Sequence, residues 1–454
     1  MSHLRWPLPD RNVSASPLNT HRDGRIHGRT YTNGEHTARA RAPNARPLGP
    51  IVPPMPGIGA PPTSAPAPLR VCMVTSTLPL GGAESLQMSV LGGLNRAGGY
   101  ACQVLCLRTA GEMAPLFEDA GVPVTVHPRH RWQHLSTVPV LARWLRAQRI
   151  DVVLTTTHVP SLHLALVAAR LARVKGTVLG LHQTGGRAIG LPSLPRRSVD
   201  LLFLLDALVL LSRHQLDYIR SSEGYGRLPW RRAPFAIIPN GVSVPAPAAK
   251  AARSEARAAL GLPYDAQVVG CVAALRPEKD HETLLRAVSR LADTHPELRL
   301  VLVGSGPREH ELRDDVSRRG LDGRVVFTGF RSDVDRLLPA LDVFCLTSVQ
   351  ETYPVSVLEA MAAGVPVVMT DCEGVPDIVQ EGRTGWKVPV GDDALLARRV
   401  SMLLDDPVMA RTMGEAGRSR AASSYSLETT VERYGALFRA LAGDPNAPVV
   451  RRRR

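Results

Sequence analysis

Residues 348–371 read SVQETYPVSVLEAMAAGVPVVMTD, and the rest of the chain is best understood as support for this stretch. The apolar segment 341–347 predicts a strand that ends at a polar turn. Pro354 stands where a helix would begin, a first-turn position that proline favours, and Gly364 would end that helix. The apolar run 365–369 is typical of a buried parallel strand. The pattern therefore predicts a strand, a loop, a helix and a second strand in close succession.

Two carboxylates, Glu351 and Glu359, flank the start of the predicted helix. If both were helical they would lie about 12 Å apart along the axis, whereas the carboxylates of glycosidases lie roughly 5–9.5 Å apart. The free N–H groups and the positive dipole end of a helix favour a phosphate between them. A phosphate with a polar group on either side describes a nucleotide sugar. The alternative is a solvated helical Glu359 and a loop Glu351 that share no ligand.

The same stretch resembles the E-x7-E signature of the family 4 retaining glycosyltransferases. Beyond the two carboxylates, the match includes Pro354, Leu358–Ala362, Gly364–Val368 and Asp371. The resemblance covers roughly residues 69–443. It implies the α/β fold called GT-B, in which two Rossmann-like, doubly wound domains face a central cleft.

Composition, the alternation of strands and helices, and the resemblance together predict five segments. They are a disordered, basic, proline-rich leader (1–68), an N-terminal Rossmann-like acceptor domain (69–242), a C-terminal Rossmann-like domain that binds the nucleotide sugar (243–425), a helix that crosses back to the N-terminal domain (426–443) and a basic tail (444–454). The leader contains too little apolar surface to offset the entropy of ordering it. Strand and helix alternation in the body predicts two parallel sheets covered by helices.

The net charge of +14 suggests a nucleic-acid binder, but its distribution argues against one. Residues 1–70 carry a net +6 and Arg451–Arg454 another +4, which leaves +4 for the folded body. Because most of the basicity lies in the tails, no nucleic-acid partner is expected.

The six cysteines lie mostly in apolar, strand-like runs, and no second close pair completes a zinc pattern beside Cys102 and Cys106. Reduced core thiols, and hence a cytoplasmic protein, are expected. The most apolar run, 201–211, is too short to span a membrane and contains Asp206. No apolar signal-peptide core follows Met1.

Two features of the N-terminal domain lie where a doubly wound sheet binds ligands, outside the carboxyl ends of its strands. The segment GGAE, which includes Gly82, follows the first predicted strand, and His182 ends the strand-like segment 176–182. The resemblance implies that backbone at Gly82 comes close to the donor or acceptor. It also implies that His182 contacts the donor sugar near the reaction centre, and His158 is a second candidate. The segment IPNGV, 238–242, resembles the family's domain junction and is interpreted as structural.

In the second domain, Lys279 follows a predicted strand and is placed to meet a diphosphate. The resemblance supports this assignment, since the family uses the lysine of P-E-K in this way. The family commonly has a second, arginine ligand ahead of it, where this chain has Ala274. Arg276, two residues later, is the candidate replacement, although strand alternation does not guarantee that it points to the same place.

The resemblance also assigns the remaining donor contacts. Glu359 holds the ribose and Glu351 a sugar hydroxyl. The amides of Val355, Ser356 and Val357 hold the phosphates together with Lys279.

The implied reaction is transfer of a hexose-type sugar from a nucleoside diphosphate, with UDP favoured, and with retention of anomeric configuration. His182 and Glu351 are the catalytic candidates. Since no covalent nucleophile is evident, catalysis would rest on positioning and on electrostatic stabilisation of the departing diphosphate. No acidic D-x-D cluster is evident, so neither a metal nor another cofactor is expected. A nucleotide-sugar epimerase and a non-catalytic sugar-nucleotide-binding protein are the alternatives.

The expected acceptor is a sugar or a lipid-linked sugar in polysaccharide or glycolipid biosynthesis. Basic residues at 129–131, 196–197 and 231–232, beside Trp132 and Trp230, would suit peripheral contact with an anionic surface at the inner face of the membrane. An ordinary solvated basic face is the alternative, and both interpretations remain open.

Overall fold

The computed structural model describes residues 67–127, 135–157, 161–182, 199–228, 233–248, 250–372 and 378–444. Several predictions concern residues outside these ranges. They are the leader up to residue 66, His158, the basic stretches 129–131, 196–197 and 231–232, Trp132, Trp230 and the tail from residue 445.

The first sheet, as far as the chain is described, consists of seven parallel strands in the order β3-β2-β1-β4-β5-β6-β7. They are Leu69–Thr75 (β1), Tyr100–Cys106 (β2), Val124–Val126 (β3), Val152–Thr155 (β4), Gly176–Gly180 (β5), Ala207–Leu210 (β6) and Phe235–Ile237 (β7). The accompanying helices are Gly82–Ala97 (α1), Ala114–Asp119 (α2), Thr137–Ala147 (α3), Ser161–Ala172 (α4) and Arg213–Ser222 (α5), with a 3-10 turn at Leu202–Leu204.

Strand β1 shows why this sheet is covered on both faces. Val71 and Met73 pack in one apolar cluster with the buried side of α1. Cys72 and Val74 point the other way and pack with α3 and α4. Because alternate side chains of a strand face opposite sides of the sheet, a continuous apolar run requires helices on both faces.

The second sheet has six described strands, also all parallel, in the order β10-β9-β8-β11-β12-β13. They are Gln267–Val272 (β8), Leu298–Val303 (β9), Val325–Phe327 (β10), Val343–Leu346 (β11), Val367–Thr370 (β12) and Gly385–Val388 (β13). The helices are Lys250–Ala259 (α6), His281–Leu291 (α7), Glu309–Arg318 (α8), Val334–Leu337 (α9), Val355–Ala362 (α10), Asp393–Asp405 (α11) and Pro407–Ser424 (α12), with 3-10 turns at Pro277–Lys279 and Leu338–Ala340.

The predicted succession of strand, loop, helix and strand is confirmed by β11, α10 and β12. The helix begins one residue later than predicted, because Pro354 is its N-cap, with an extended ψ of 109°, and not part of its first turn. Gly364 adopts φ +79°, a left-handed conformation that glycine reaches without steric cost and that turns the chain into β12.

A last helix, Leu427–Ala442 (α13), packs against the first sheet. Its buried residues Tyr434, Leu437 and Phe438 belong to the same apolar cluster as α1. Glycine permits the close approach, since a Cβ on Gly93 of α1 would lie 2.7 Å from Val431. Helix α13 thus follows the elements of the second sheet in sequence but packs with those of the first sheet.

The strand orders define one reversal point in each sheet. In the first sheet β1 lies between β2 and β4, and in the second β8 lies between β9 and β11. At such a point, the connections that follow two neighbouring strands leave to opposite faces of the sheet. The two strands are β1 and β4 in the first sheet and β8 and β11 in the second, and a crevice forms outside their carboxyl ends. The loops after β8 and β11 therefore meet, and these loops carry Lys279 and Glu351.

All six cysteines are buried and free, as the expectation of reduced core thiols requires. Across the described ranges, no helix is both long and apolar enough to cross a lipid bilayer.

Candidate active site

Lys279 and Glu351 form an ion pair at the reversal point of the second sheet. Lys279 Nζ lies 2.5 Å from Glu351 Oε1, and both side chains are largely buried. Ser348 Oγ donates a second hydrogen bond, of 2.7 Å, to the same carboxylate oxygen. Burial lowers the pKa of Lys279, but the charge and hydrogen bond of Glu351, with smaller contributions from Glu278 and Cys271, together raise it by more, so the net pKa lies above its ordinary value. The lysine is therefore a fixed cation at this point.

The backbone that carries Lys279 is held by the neighbouring strand. Thr347, directly after β11, donates its hydroxyl to the carbonyls of Lys279 and Asp280, at 3.2 and 2.9 Å. Asp280 adopts φ +43°, which is rare for a residue other than glycine. Its carboxylate caps α7 by accepting from Thr283 N, a bond that offsets the strain. The loop after β8 is thus built to hold one conformation.

Within the described part of the chain, the N-terminus of α10 presents backbone donors that have no acceptor. The first bond inside the helix runs from Leu358 N to Pro354 O, at 3.4 Å. The amides of Val355, Ser356 and Val357 consequently have no acceptor within the helix, and the helix dipole adds positive potential there. This end of the helix is suited to bind an anion such as a phosphate.

Glu359 lies one turn further along α10. Burial, with a smaller contribution from Asp335, raises the pKa of Glu359 to about 7. No ion pair to Glu359 is found in the described part of the chain. Glu359 is half-buried, and a partly desolvated carboxyl group without a cation gains most from hydroxyl donors supplied by a ligand.

Arg276, the candidate replacement for the family arginine, is placed differently from Lys279, and so is Ala274, which stands where the family has that arginine. Arg276 is exposed, and its amide bonds to Ala274 O at 2.8 Å, so the strand pattern is already broken there. The loop after β9 packs closely on this segment, since a Cβ on Gly304 would lie 2.0 Å from Ala273 O and one on Gly306 2.4 Å from Leu275 O. These close approaches fix the path of the backbone from Ala273 to Leu275. Arg276 makes no ion pair with any described residue. Its role as a replacement for the family arginine stays a prediction.

Gly82 is the first residue of α1, directly after the N-cap Gly81. Among the described residues, a Cβ added to Gly82 would meet nothing within 4 Å, and Gly82 is exposed. The described structure therefore leaves the backbone here accessible to a ligand.

His182 lies two residues beyond β5 and is held by α1. Gln87 Nε2 lies 2.5 Å from His182 Nε2. Burial lowers the pKa of His182 to about 4, so the imidazole is neutral at pH 7. Among the described residues, no hydrogen bond or ion pair joins His182 to Lys279, Glu351 or Glu359.

The segment interpreted as a domain junction also contacts the candidate donor site. Asn240 Nδ2 donates a 2.9 Å hydrogen bond to Tyr353 O, in the loop just before α10. Val242 N bonds to Tyr425 O, and Leu427 N bonds back to Val242 O, both at 2.9 Å. The junction is thus connected to the loop between Glu351 and Pro354.

Several of these supporting residues carry no signal in the sequence that would identify them. Ser348 and Thr347 follow β11 without a distinctive pattern, and Gln87 lies in the middle of an amphipathic helix. One supporting residue does have a local signal: Asp280 is a residue type that favours the N-cap, and it precedes the helix that contains Thr283. The other contacts depend on tertiary structure.

Two family models match the chain. "Glycosyl transferases group 1" matches residues 252–420, and "Glycosyltransferase Family 4" matches residues 80–244. The first includes all the donor-site candidates of the second sheet, and the second includes Gly82 and His182.

Curated relatives and solved structures agree with these models. The chain is 29% identical to "Putative glycosyltransferase EpsD" of Bacillus subtilis over 68% of this chain and 81% of that one. It is 30% identical to "GDP-mannose-dependent monoacylated alpha-(1-6)-phosphatidylinositol monomannoside mannosyltransferase" of Corynebacterium glutamicum, over 66% of this chain and 78% of that one. The structure of Anabaena HepE in complex with UDP-glucose aligns with a TM-score of 0.71 and 21% identity, covering 82% of this chain and 100% of that one. That likeness supports the GT-B fold, and the comparisons do not favour the epimerase or the non-catalytic protein.

Proposed function

Since the chain belongs to the family 4 type of glycosyltransferases, with the GT-B fold, and is therefore an enzyme, we propose a specific reaction for it. It transfers a hexose-type sugar from a nucleoside diphosphate sugar to a sugar or lipid-linked acceptor, with retention of configuration. UDP is the favoured nucleotide. The product belongs to polysaccharide or glycolipid biosynthesis.

One observation carries this proposal. The free amides at the start of α10 lie in sequence between the Lys279–Glu351 pair on one side and the uncompensated carboxyl group of Glu359 on the other. A nucleoside diphosphate sugar offers matching chemistry in the same order, with sugar hydroxyls, two phosphates and ribose hydroxyls. In this assignment Glu351 accepts from the sugar, the amides and Lys279 bind the diphosphate, and Glu359 accepts from the ribose.

The chemistry follows from where charge develops. As the glycosidic bond breaks, negative charge grows on the leaving diphosphate oxygen. Lys279 and the α10 amides are already fixed by the fold, so they stabilise that charge without reorganising. The neutral imidazole of His182 can hydrogen-bond to the sugar without adding a second cation beside the leaving group.

The relatives support the acceptor and donor classes. The Corynebacterium glutamicum relative is named as using GDP-mannose and a phosphatidylinositol mannoside, and it shares 30% identity with this chain. A related chain, 78% of which this chain covers, is thus named for a glycolipid acceptor and a sugar nucleotide donor. Peripheral membrane contact is proposed on the same ground.

The donor site is tested by a thermal-shift screen with UDP, GDP, ADP and their common sugars, repeated on Glu359→Gln. One nucleotide should stabilise the wild type, and the variant should lose most of that stabilisation. Equal stabilisation of both proteins would overturn the assignment of Glu359. Stabilisation by none of the nucleotides would contradict the proposal itself.

Retention is tested by following donor hydrolysis or transfer by proton NMR at early times, before the free sugar mutarotates. The proposal expects the first product to have the anomeric configuration of the donor. An inverted first product would contradict it.

A further inference from the structure

Gln87 and His182 form a buried polar contact next to β5, away from the donor contacts of the second sheet. Gln87 lies on α1 and is 1% exposed. Its amide Nε2 lies 2.5 Å from His182 Nε2. A glutamine buried in an apolar cluster costs free energy unless its amide is hydrogen-bonded, so this contact has a reason beyond packing.

The backbone of β5 is shaped to permit the contact. A Cβ on Gly180 would lie 2.8 Å from His182 Nε2 and 3.6 Å from Gln87 Nε2. The imidazole therefore folds back over its own strand into the space that a side chain at 180 would occupy. Any larger residue there would displace the ring from Gln87.

The contact decides which imidazole nitrogen carries the proton. A neutral imidazole has one N–H donor and one acceptor nitrogen. With the amide orientation that the structure gives, the Gln87 N–H donates to His182 Nε2, which accepts, and this assignment places the imidazole proton on Nδ1. His182 Nδ1 is itself buried and has no hydrogen-bond partner among the described residues.

Helix α13 lies on the other side of the same amide. Burial raises the pKa of Tyr434, while the nearby Gln87 side chain lowers it. The Tyr434 hydroxyl and Gln87 Oε1 are both buried, and neither meets a partner at full hydrogen-bond geometry in the described part of the chain. The amide is thus confined between α13 and His182.

We propose that Gln87 is a positioning residue that holds His182 as its Nδ1–H tautomer, so that Nδ1–H donates to an acceptor oxygen of the bound sugar substrate. The proposal rests on the transfer reaction proposed above for the identity of that oxygen. Glutamine suits the task because its amide can donate without carrying charge. A carboxylate at the same position could only accept, and it would move the proton to Nε2.

The test that needs no substrate is the tautomer of His182, measured by long-range proton–nitrogen NMR on protein with 15N-labelled histidine. The His182 signals are identified by their loss in His182→Phe. We expect Nδ1–H in the wild type, Nε2–H in Gln87→Glu and a loss of the fixed preference in the uncharged, similarly sized Gln87→Met. Nε2–H in the wild type, or an unchanged tautomer in Gln87→Met, would overturn the proposal.

The kinetic arm uses Gln87→Met at fixed pH. The expected result is a decrease in kcat of about tenfold or more with a much smaller change in donor KM, since the loss concerns orientation of one donor group. Tyr434→Phe is the control for packing, because it changes the same buried environment but should leave the tautomer and most of kcat intact. If the wild type turns over no sugar nucleotide, the proposed function fails, and the tautomer still decides the role of Gln87.

Discussion

Lys279 Nζ lies 2.5 Å from Glu351 Oε1, in the crevice where the strand order of the second sheet reverses. The cation assigned to the diphosphate is thus already neutralised by the carboxylate assigned to the sugar. Donor binding must share Lys279 between two anions, and the Ser348 hydroxyl keeps Glu351 in place while it does so. The pair therefore links recognition of the sugar to recognition of the leaving group.

Substitutions of the two partners should affect nucleotide binding in opposite directions. Glu351→Gln is expected to bind a nucleoside diphosphate at least as tightly as the wild type, because the anion that competes for Lys279 is removed. Lys279→Met should weaken the same binding by about tenfold or more, the value of a charged hydrogen bond. Isothermal titration with UDP and GDP measures both constants.

Sugar transfer should fall in both variants, since each loses a group that acts on the donor. Weaker nucleotide binding by Glu351→Gln, equal to that of Lys279→Met, would show instead that the carboxylate builds the phosphate site.

Glu359 should make the stability of the protein depend on pH. Its pKa is raised from 4.5 to about 7 by burial and, less strongly, by Asp335. Because the folded state binds this proton more tightly than the unfolded state, the free energy of unfolding should fall as pH rises from about 4.5 to 7. Glu359→Gln removes the ionisation, so at pH 8 it should exceed the wild type by about 1–3 kcal/mol, an advantage that disappears near pH 4.

Urea unfolding of the two proteins between pH 4 and 8 checks this expectation. Asp335→Asn is the matched control, because it removes only the smaller cause of the pKa shift and should give an intermediate curve. A wild type that gains stability relative to Glu359→Gln as pH rises would contradict the expected sign.

The parts of the fold that follow local rules could be predicted from the sequence. The stretch 348–371 contains its own strand ending, helix start, glycine stop and next strand, and each signal depends on residues a few positions away. Alternation of such units identifies parallel sheets, and helix polarity identifies the anion site at α10.

The side-chain partners could not be predicted, because they depend on strand order and on rotamers. Lys279 and Glu351 are 72 residues apart, Gln87 and His182 are 95 apart, and Asn240 and Tyr353 are 113 apart. The sequence predicts that Lys279 and Glu351 contact different parts of one ligand, but it does not predict that they pair with each other. The sequence predicts a structural role for the segment 238–242, but it does not predict that the Asn240 amide reaches the loop before α10.

The Asn240 contact should couple the junction to nucleotide binding. Asn240→Leu removes the donor to Tyr353 O and leaves a buried carbonyl without it, at a cost of about 1–3 kcal/mol. The loop between Glu351 and Pro354 should then become less well ordered, and nucleotide affinity should fall. Thermal unfolding and isothermal titration measure the two effects.

Thr430→Val is the control for a general weakening of the junction. It removes the 3.2 Å hydrogen bond to Pro239 O but leaves Tyr353 untouched. Stability should fall while nucleotide affinity is retained. Equal affinity losses in both variants would show that the junction acts as a whole and that the Asn240 bond has no special effect on the loop.

The position of α10 should depend on one close approach of helix α12. A Cβ on Gly414 would lie 2.0 Å from Gly364 O, in the turn that ends α10, and a backbone carbonyl cannot move aside as a flexible side chain can. Gly417 lies on the same helix, and its Cβ would meet Met361 at an ordinary 3.6 Å. Gly414→Ala should therefore lower the free energy of unfolding by about 1–3 kcal/mol. Gly417→Ala should leave it unchanged or raise it by about 0.5–1 kcal/mol through helix propensity. Because Gly364 is continuous with α10, Gly414→Ala should also reduce stabilisation by the nucleotide, and equal stability of the two variants would contradict the close approach.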